Sequence, residues 1–386
     1  MKKTTRLRDN AGFLSVMASV TSICIGLLFG FILLLLLNPR NALPGMGSLL
    51  GKGFTDVGNV LYRAAPLVMV GLAVAFAYQV GLFNIGASGQ YTIGAFLALT
   101  CAIELQMPWY VCLLAASLGG AIWGLFPGLF KAFFNVNEVL TAIMFNWIGM
   151  NLVNFLIPNM PRMLDSDWGA SASDRTAALA NANPGAILPR LGLDRLFHYS
   201  YMNIGIILAI VVSIVMWVIL KKTTFGYELK ACGNNRDAAM YAGISAKKNV
   251  VLSMVISGAL AGFGGGLFYL AGGGQYTLLQ AIETAGFDGI SVALLANCNP
   301  IGCIFSAMFL SYLRLGGNAM QSQGYATEAT DIVISVIVYL AAFALLIRMF
   351  LSGRKKRKAA AATALPDGGG TASPTDHAQE KGGEQA

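Results

Sequence analysis

The sequence predicts an all-α, polytopic membrane protein with about ten transmembrane helices. Of its 386 residues, 56% are hydrophobic and only 11% are charged, and the mean hydropathy is +0.64. So few charges cannot cover a water-soluble globule of this size. Apolar runs also recur along the chain, and the longest reach the roughly 20 residues that a helix needs to cross a bilayer.

The first predicted span runs from Ser15 to Leu37, which is 23 residues without a charge. It is too long for the core of a signal peptide, and it is followed by Asn38 and Pro39 rather than by a small-residue cleavage site. We therefore expect this span to be retained, after a short cytoplasmic N-terminus at residues 1–14.

Nine further apolar runs bring the predicted count to ten. They lie at about residues 64–82, 91–103, 108–130, 139–157, 203–220, 250–271, 287–296, 301–313 and 330–350. Together with the first run they define a predicted transmembrane domain at residues 15–352. Beyond it, residues 353–386 are rich in Ala, Gly and charged residues, a composition that predicts a disordered cytoplasmic tail.

Three basic segments orient these spans. The N-terminus is basic, residues 221–249 carry six Lys/Arg against two acids, and Arg354–Lys358 follows the last run. Basic segments stay on the cytoplasmic side of a membrane. Six spans before residues 221–249 and four after them place all three segments inside, with both termini cytoplasmic.

The long connection at residues 158–202 then falls outside the cell. Its four arginines are matched by four aspartates, and this neutrality is typical of an external loop. It is long for a connection, and we expect it to fold partly over the outer mouth.

Two segments interrupt the regular spans. Leu82–Gln90 contains Asn84, Gly86, Ser88, Gly89 and Gln90, residue types that disfavour a regular helix. Irregular backbone is tolerated at membrane depth only where protein buries it or where it meets a water-filled cavity. The run 287–296 is only ten residues long, about 15 Å as a helix, and predicts a broken or re-entrant span.

In the run 250–271, Gly258, Gly262 and Gly266 place small residues on one helix face, which predicts close helix packing.

Several function classes are excluded by what the sequence lacks. The six cysteines form no CxxC pair and the chain has only two histidines, so we expect no metal, cofactor or His-based catalysis. The segment Gly47–Gly53 resembles a phosphate loop but is one residue short and lacks the Ser/Thr that holds magnesium. No basic segment carries interleaved aromatics, which argues against nucleic acid. We expect a non-enzymatic protein.

Within the basic segment, Asp237–Tyr241 reads DAAMY, an Ala-rich stretch that predicts a short helix closed by Gly243. We interpret it as a docking helix between two spans.

Three motifs carry a family resemblance. They are GYELKACGNNRDAAMYAGI at Gly226–Ile244, GLFNIGASGQ at Gly81–Gln90 and FDGISVALLANCNP at Phe287–Pro300. In this order they resemble the permeases of bacterial ABC importers of the ribose, branched-chain amino acid and nucleoside group, a type II importer fold, over roughly residues 60–350. The second and third motifs are most similar to the nucleoside branch, although Ser88 stands where that branch often has an acid.

The resemblance implies a set of partners: cytoplasmic ATP-binding subunits, a second permease subunit, an extracellular substrate-binding protein or lipoprotein, and membrane lipid. It also implies that the basic segment couples the permease to the ATPase, through Gly233, Asn234, Arg236, Asp237, Ala238, Ala239, Tyr241 and Gly243.

Candidate substrate-pathway residues are those with polar or aromatic side chains in or beside the interrupted spans: Asn84, Gln90, Asn146, Phe287 and Asp288. Amides can bind a base edge or a sugar hydroxyl without the desolvation cost of a charge. The alternative for each amide is a hydrogen bond that only ties helices together, and for Asp288 a position at a helix end.

The predicted function is a permease subunit that carries nucleosides across the bacterial plasma membrane, by resemblance of the second motif. A pentose or another simple sugar is the alternative cargo. An ion-coupled secondary transporter is the alternative class, but such proteins usually keep an ionisable residue well inside the membrane. A membrane enzyme ranks third, because no nucleophile with a base stands out.

Overall fold

The computed structural model describes residues 11–197, 200–278 and 280–342. The basic residues at 1–10 and the predicted tail at 353–386 lie outside them. Two isolated β-bridges aside, the described residues form no β-structure. Their helices are α1 Ala11–Leu37, α2 Ala42–Thr55, α3 Val57–Tyr78, α4 Ala87–Ile103, α5 Trp109–Phe134, α6 Glu138–Leu156, α7 Leu179–Ala182, α8 Leu193–Leu196, α9 Gly205–Lys222, α10 Thr224–Asn234, α11 Arg236–Tyr241, α12 Ala246–Tyr269, α13 Ala285–Leu295, α14 Pro300–Met320 and α15 Thr327–Ala342.

Each predicted apolar run falls on one of these helices, the last run only as far as residue 342, because residues 343–350 lie outside the described residues. The count of ten crossings is not confirmed. Among the described residues, six helices are long and apolar enough to span a membrane: α3, α5, α6, α9, α12 and α14. Helix α4 has 17 residues and α13 has 11. At 1.5 Å per residue these are about 25 and 16 Å long, too short to cross alone. The short α13 agrees with the predicted half-span.

Helix α3 forms the centre of the bundle. Every residue from Ala64 to Ala77 is buried, and α9, α12, α13 and α14 pack around it. A helix that is apolar on all sides is buried either by protein or by lipid, and in this bundle neighbouring helices bury it.

The small residues of α12 meet those of α5, as the Gly spacing predicts. A Cβ atom at Gly258 would collide with the carbonyl oxygen of Gly120, and one at Gly262 would collide with that of Ala116. The two backbones are therefore in direct contact, which leaves no room for a side chain at either glycine of α12.

Two helices were not expected from the sequence. Helix α2 lies between the first two predicted apolar runs and packs against α14, where Tyr312 donates a hydrogen bond to the carbonyl oxygen of Leu50. Helix α10 occupies the polar segment before the predicted docking helix. Neither helix is a long apolar run, because α2 is rich in Gly and α10 is polar.

The loop at residues 158–202 is partly folded, with α7, α8 and three 3-10 turns. It is joined to the α12–α13 connection by an isolated bridge between Arg175 and Thr277 and by a hydrogen bond from the Thr176 amide to the Tyr276 carbonyl, at 2.8 Å. The loop therefore packs on the connection that leads into the half-span.

Candidate functional site

The irregular segment between α3 and α4 is shorter than the sequence predicts. Helix α4 begins at Ala87, so Ser88, Gly89 and Gln90 are helical, and the Gln90 amide donates to the Gly86 carbonyl at 3.1 Å. The expectation of irregular backbone up to Gln90 is therefore wrong. The first turn of α4 is buried. Buried backbone groups have to be hydrogen-bonded, and the helix supplies these hydrogen bonds.

The amides of Asn84 and Gln90 bind each other and the neighbouring helices. Asn84 Nδ2 donates to Gln90 Oε1 at 2.8 Å and to Ser257 Oγ at 2.7 Å. Ser257 Oγ donates in turn to the Ala73 carbonyl at 2.6 Å. Both amide side chains are fully buried. This network connects the irregular segment to α12 and α3.

Asn146 on α6 satisfies one backbone group in the first turn of α4 and one in the irregular segment. Its Oδ1 accepts from the Gly89 amide at 2.8 Å, and its Nδ2 donates to the Ile85 carbonyl at 3.0 Å. An unpaired backbone group at membrane depth is costly, and Asn146 supplies the partner of both of these groups. We call Asn84, Gln90, Asn146 and Ser257 the amide cluster.

Asp288, one of the predicted pathway residues, borders a cavity. It lies in the first turn of α13 and forms an ion pair with Arg314 of α14, Oδ1 to Nη2, at 2.5 Å. Arg314 Nη1 also binds Asp331 of α15 at 3.0 Å. One guanidinium thus joins three helices, and its Nε atom is buried with no hydrogen-bond partner among the described residues.

The Asp288–Arg314 pair borders a cavity of about 240 Å³, which we call the polar cavity. Its lining residues come from α3, α4, α12, α13, α14 and the α12–α13 connection: Arg63, Pro66, Leu67, Tyr91, Phe268, Glu283, Thr284, Ala285, Asp288, Ser311, Arg314 and Asn318. Arg63, Thr284 and Asn318 are exposed and form its rim, while Tyr91 and Ser311 are buried at its floor.

The same ion pair borders a second cavity of about 610 Å³ between α13, α14 and α15, lined by Leu294, Leu310, Ile332 and other mostly apolar residues. Asp288 and Arg314 therefore separate a polar compartment from an apolar one. Phe287 is 45% exposed and lines neither of these two cavities.

Sequence reasoning missed most of the polar cavity. Arg314 lies one residue beyond the apolar run 301–313, and Glu283 precedes α13. The available signal was the rarity of charge: Glu283, Asp288 and Arg314 are the charged residues of an otherwise uncharged stretch from residue 249 to 327.

At the other end of α3, α10 and α11 carry the predicted coupling residues. The predicted short helix is confirmed as α11, with Asn235 Oδ1 accepting from the Ala238 amide at 3.0 Å and Gly243 at a φ of +82° after its end. Ala239 is buried within this chain, whereas Tyr241 is 95% exposed.

The remaining coupling residues differ in accessibility. Exposed to solvent are Gly233, Asn234, Asp237 and Ala238, while Arg236 is half-buried. Gly233 also lies against the end of α3, where a Cβ atom would collide with the Gln79 carbonyl oxygen. The coupling segment therefore touches the chain directly before the irregular segment.

Comparison with known proteins adds an independent line of evidence. Residues 57–342 match the family model for the branched-chain amino acid transport system permease component. The chain is 34% identical to the guanosine ABC transporter permease protein NupP of Bacillus subtilis, over 89% of this chain and 98% of that protein. It is also 34% identical to the nucleoside ABC transporter permease protein NupB of Lactococcus lactis, over 90% and 96% of the two chains.

A third relative has a different cargo in its name. The glucose ABC transporter permease protein TsgB13 of Haloferax volcanii is 27% identical over 72% of this chain and 74% of its own length. No solved structure matches the chain significantly.

Proposed function

Because the chain belongs to the branched-chain amino acid transport system permease family, whose model covers residues 57–342, we propose that it is the membrane-spanning subunit of a bacterial ABC importer for nucleosides. The observation that carries the cargo is the 34% identity to two permeases named for guanosine and nucleosides, over about nine-tenths of the chain. The alternative cargo, a monosaccharide, is supported by the weaker 27% identity to a glucose permease.

The proposed partners are ATP-binding subunits, a substrate-binding protein and a second permease. In each of two organisms the chain matches two such permeases, one at 34% and the other at 26 to 27% identity. This difference supports a distinct second permease chain rather than a second copy. The binding protein would deliver cargo to the side that carries the 158–202 loop.

The proposed orientation follows from charge. Residues 221–249 are basic and contain the exposed α11, so they lie in the cytoplasm against the ATP-binding subunits, and the termini lie on the same side. The contact of Gly233 with Gln79 supports a direct route by which movement of the coupling segment reaches the interior of the bundle. Asp288 at the polar cavity is the pathway residue that this proposal retains.

The test is nucleoside uptake by the complete importer in proteoliposomes. We expect uptake that needs ATP, the ATP-binding subunits and the binding protein, and no uptake by the purified chain alone. Glucose and ribose uptake in the same vesicles is the matched control for cargo. Uptake that follows a proton gradient without ATP would instead establish a secondary transporter, and uptake of the sugars alone would reverse the assignment of cargo.

A further inference from the structure

We propose that the polar cavity is a transient binding site for the neutral nucleoside inside the permease, and that it rejects phosphorylated nucleosides. This inference rests on the proposed function and adds a location and a selectivity to it. The cavity is bordered by two arginines and two acids, Arg63, Arg314, Glu283 and Asp288.

Charged side chains within membrane-spanning helices are expensive and mark ligand or ion pathways by default. A purely structural ion pair would account for Arg314, Asp288 and Asp331. It does not account for Arg63 and Glu283, which form no ion pair with any residue that the structure describes. Nor does it use Arg314 Nε, which is buried and without a partner there. The cavity therefore holds more polar capacity than the protein itself satisfies.

The cavity is deep enough in the bundle to lie on a transport pathway. Arg63 is the seventh residue of α3, and Arg314 lies six residues before the end of α14, so both are about 9 Å from the same face at 1.5 Å per residue. Tyr91, at the floor, lies twelve residues before the end of α4, about 18 Å deep. In the proposed orientation that face is external, and the floor lies near the middle of the bilayer.

The charges of the lining select against phosphate. Two guanidinium groups and two carboxylates give no net positive field when all are ionised. A phosphate carries a charge of about −1.5 to −2 at pH 7, and a lining without excess positive charge does not offset the cost of taking that charge out of water. A neutral base and ribose present donors to carboxylates and acceptors to guanidinium groups, which is the complement of this lining.

Aromatic side chains form part of the wall of the polar cavity. Phe268 lines the cavity and is stacked on Tyr62 with ring centroids 6.2 Å apart, while Tyr269 packs edge-on against Phe268 at 5.0 Å. Tyr91 packs against Tyr269 at 6.5 Å. Rings held in this way offer a fixed apolar face for a planar base, so the cavity combines a stacking surface with polar groups.

The first experiment measures uptake by the complete importer in proteoliposomes. The double variant Asp288→Asn with Arg314→Gln removes both charges of the pair; Asn keeps the size of Asp, and Gln is shorter than Arg but keeps a polar end. We expect nucleoside uptake per assembled complex to fall at least tenfold. Asp331→Asn, which changes the partner of Arg314 outside the polar cavity, is the control and should leave uptake within twofold of the unsubstituted importer.

Unchanged uptake in the assembled double variant would overturn the site. If the double variant does not assemble, Glu283→Gln, outside the helices, replaces it, and undiminished uptake there would overturn the site equally. Failure of the unsubstituted importer to carry any nucleoside would instead refute the proposed function, so the two failures are distinguishable.

The second experiment measures selectivity without the binding protein. Guanosine and its 5′-monophosphate are added at millimolar concentration to the assembled permease and ATP-binding subunits, and the thermal unfolding midpoint is recorded. We expect guanosine to raise the midpoint and the monophosphate not to. Glu283→Gln combined with Asp288→Asn should reverse this order, because the guanidinium groups then dominate. Equal response to both ligands in the unsubstituted complex would contradict the claim of selectivity.

Discussion

Two polar regions lie inside this bundle, and they use polarity differently. The amide cluster is fully buried and its groups bind one another or the backbone of the irregular segment. The polar cavity has charged groups that face open space, and one buried nitrogen there lacks a partner. Satisfied polar groups hold a structure together, whereas unsatisfied groups around a cavity are available to a ligand.

Among the substitutions that test this comparison, we expect the largest loss of stability at Asn146. Asn146→Leu removes the partners of the Gly89 amide and the Ile85 carbonyl, and each buried unpaired group costs about 1–3 kcal/mol. We expect much less folded permease in detergent, measured by fluorescence-detected gel filtration. Asn151→Leu on the same helix is the control, because Asn151 is exposed and bonds only within α6. A normal yield of the Asn146 variant would break the comparison.

Helix α11 shows a similar contrast between a buried side chain and an exposed one. Ala239 is buried in this chain, so Ala239→Arg should overpack the fold, at about 1–3 kcal/mol, and lower the thermal midpoint of the permease alone. Tyr241→Ala, at the 95% exposed position, should leave that midpoint unchanged but reduce nucleoside-stimulated ATP hydrolysis. If Ala239→Arg keeps the full midpoint, Ala239 does not pack as described.

A smaller effect is expected at Gln90. Gln90→Leu leaves Asn84 bound to Ser257 and removes the two hydrogen bonds between Asn84 and Gln90, at 2.8 and 3.4 Å, each worth about 0.5–1.5 kcal/mol. We expect a slightly lower thermal midpoint and normal nucleoside uptake per folded complex. Lost uptake at a normal midpoint would place Gln90 on the pathway and restore the interpretation made from the sequence.

The smallest effect is expected at Asp331. Its side chain is 52% exposed in its pair with Arg314, and exposed pairs contribute about 0–1 kcal/mol. Asp331→Asn should shift the thermal midpoint by no more than about a degree or two, whereas Asp288→Asn should shift it further, because Asp288 is 17% exposed. Equal shifts for the two variants would show that the two halves of the Arg314 bridge are equivalent.

Sequence patterns predicted the helical architecture well, because long apolar runs have few alternatives in a membrane protein. The half-span at α13, the Gly face of α12 and helix α11 were all predictable from length, spacing and composition. Helix α2 was not, because Gly and Pro within Ala42–Thr55 disfavour a helix that only packing on α14 stabilises.

The site was predicted less completely. The residue types at Asn84, Gln90 and Asn146 signal polarity in the membrane, but their partners depend on which helices meet, and α6 and α12 are far from Asn84 in sequence. Arg314 was not predicted as a site residue because it lies beyond the end of an apolar run, and its partners are 26 and 17 residues away. Such pairings follow from tertiary packing, which no local pattern encodes.

Thiol labelling tests the difference between the two regions most directly. In the complete importer, with the six native cysteines replaced by serine or alanine, Thr284→Cys at the rim of the polar cavity is compared with Ser88→Cys beside the amide cluster. The account predicts that a water-soluble maleimide labels Thr284→Cys, that guanosine slows this labelling, and that Ser88→Cys stays unlabelled with or without guanosine. Labelling of Ser88→Cys that guanosine slows, with no protection at Thr284→Cys, would contradict the account and place the nucleoside in the amide cluster.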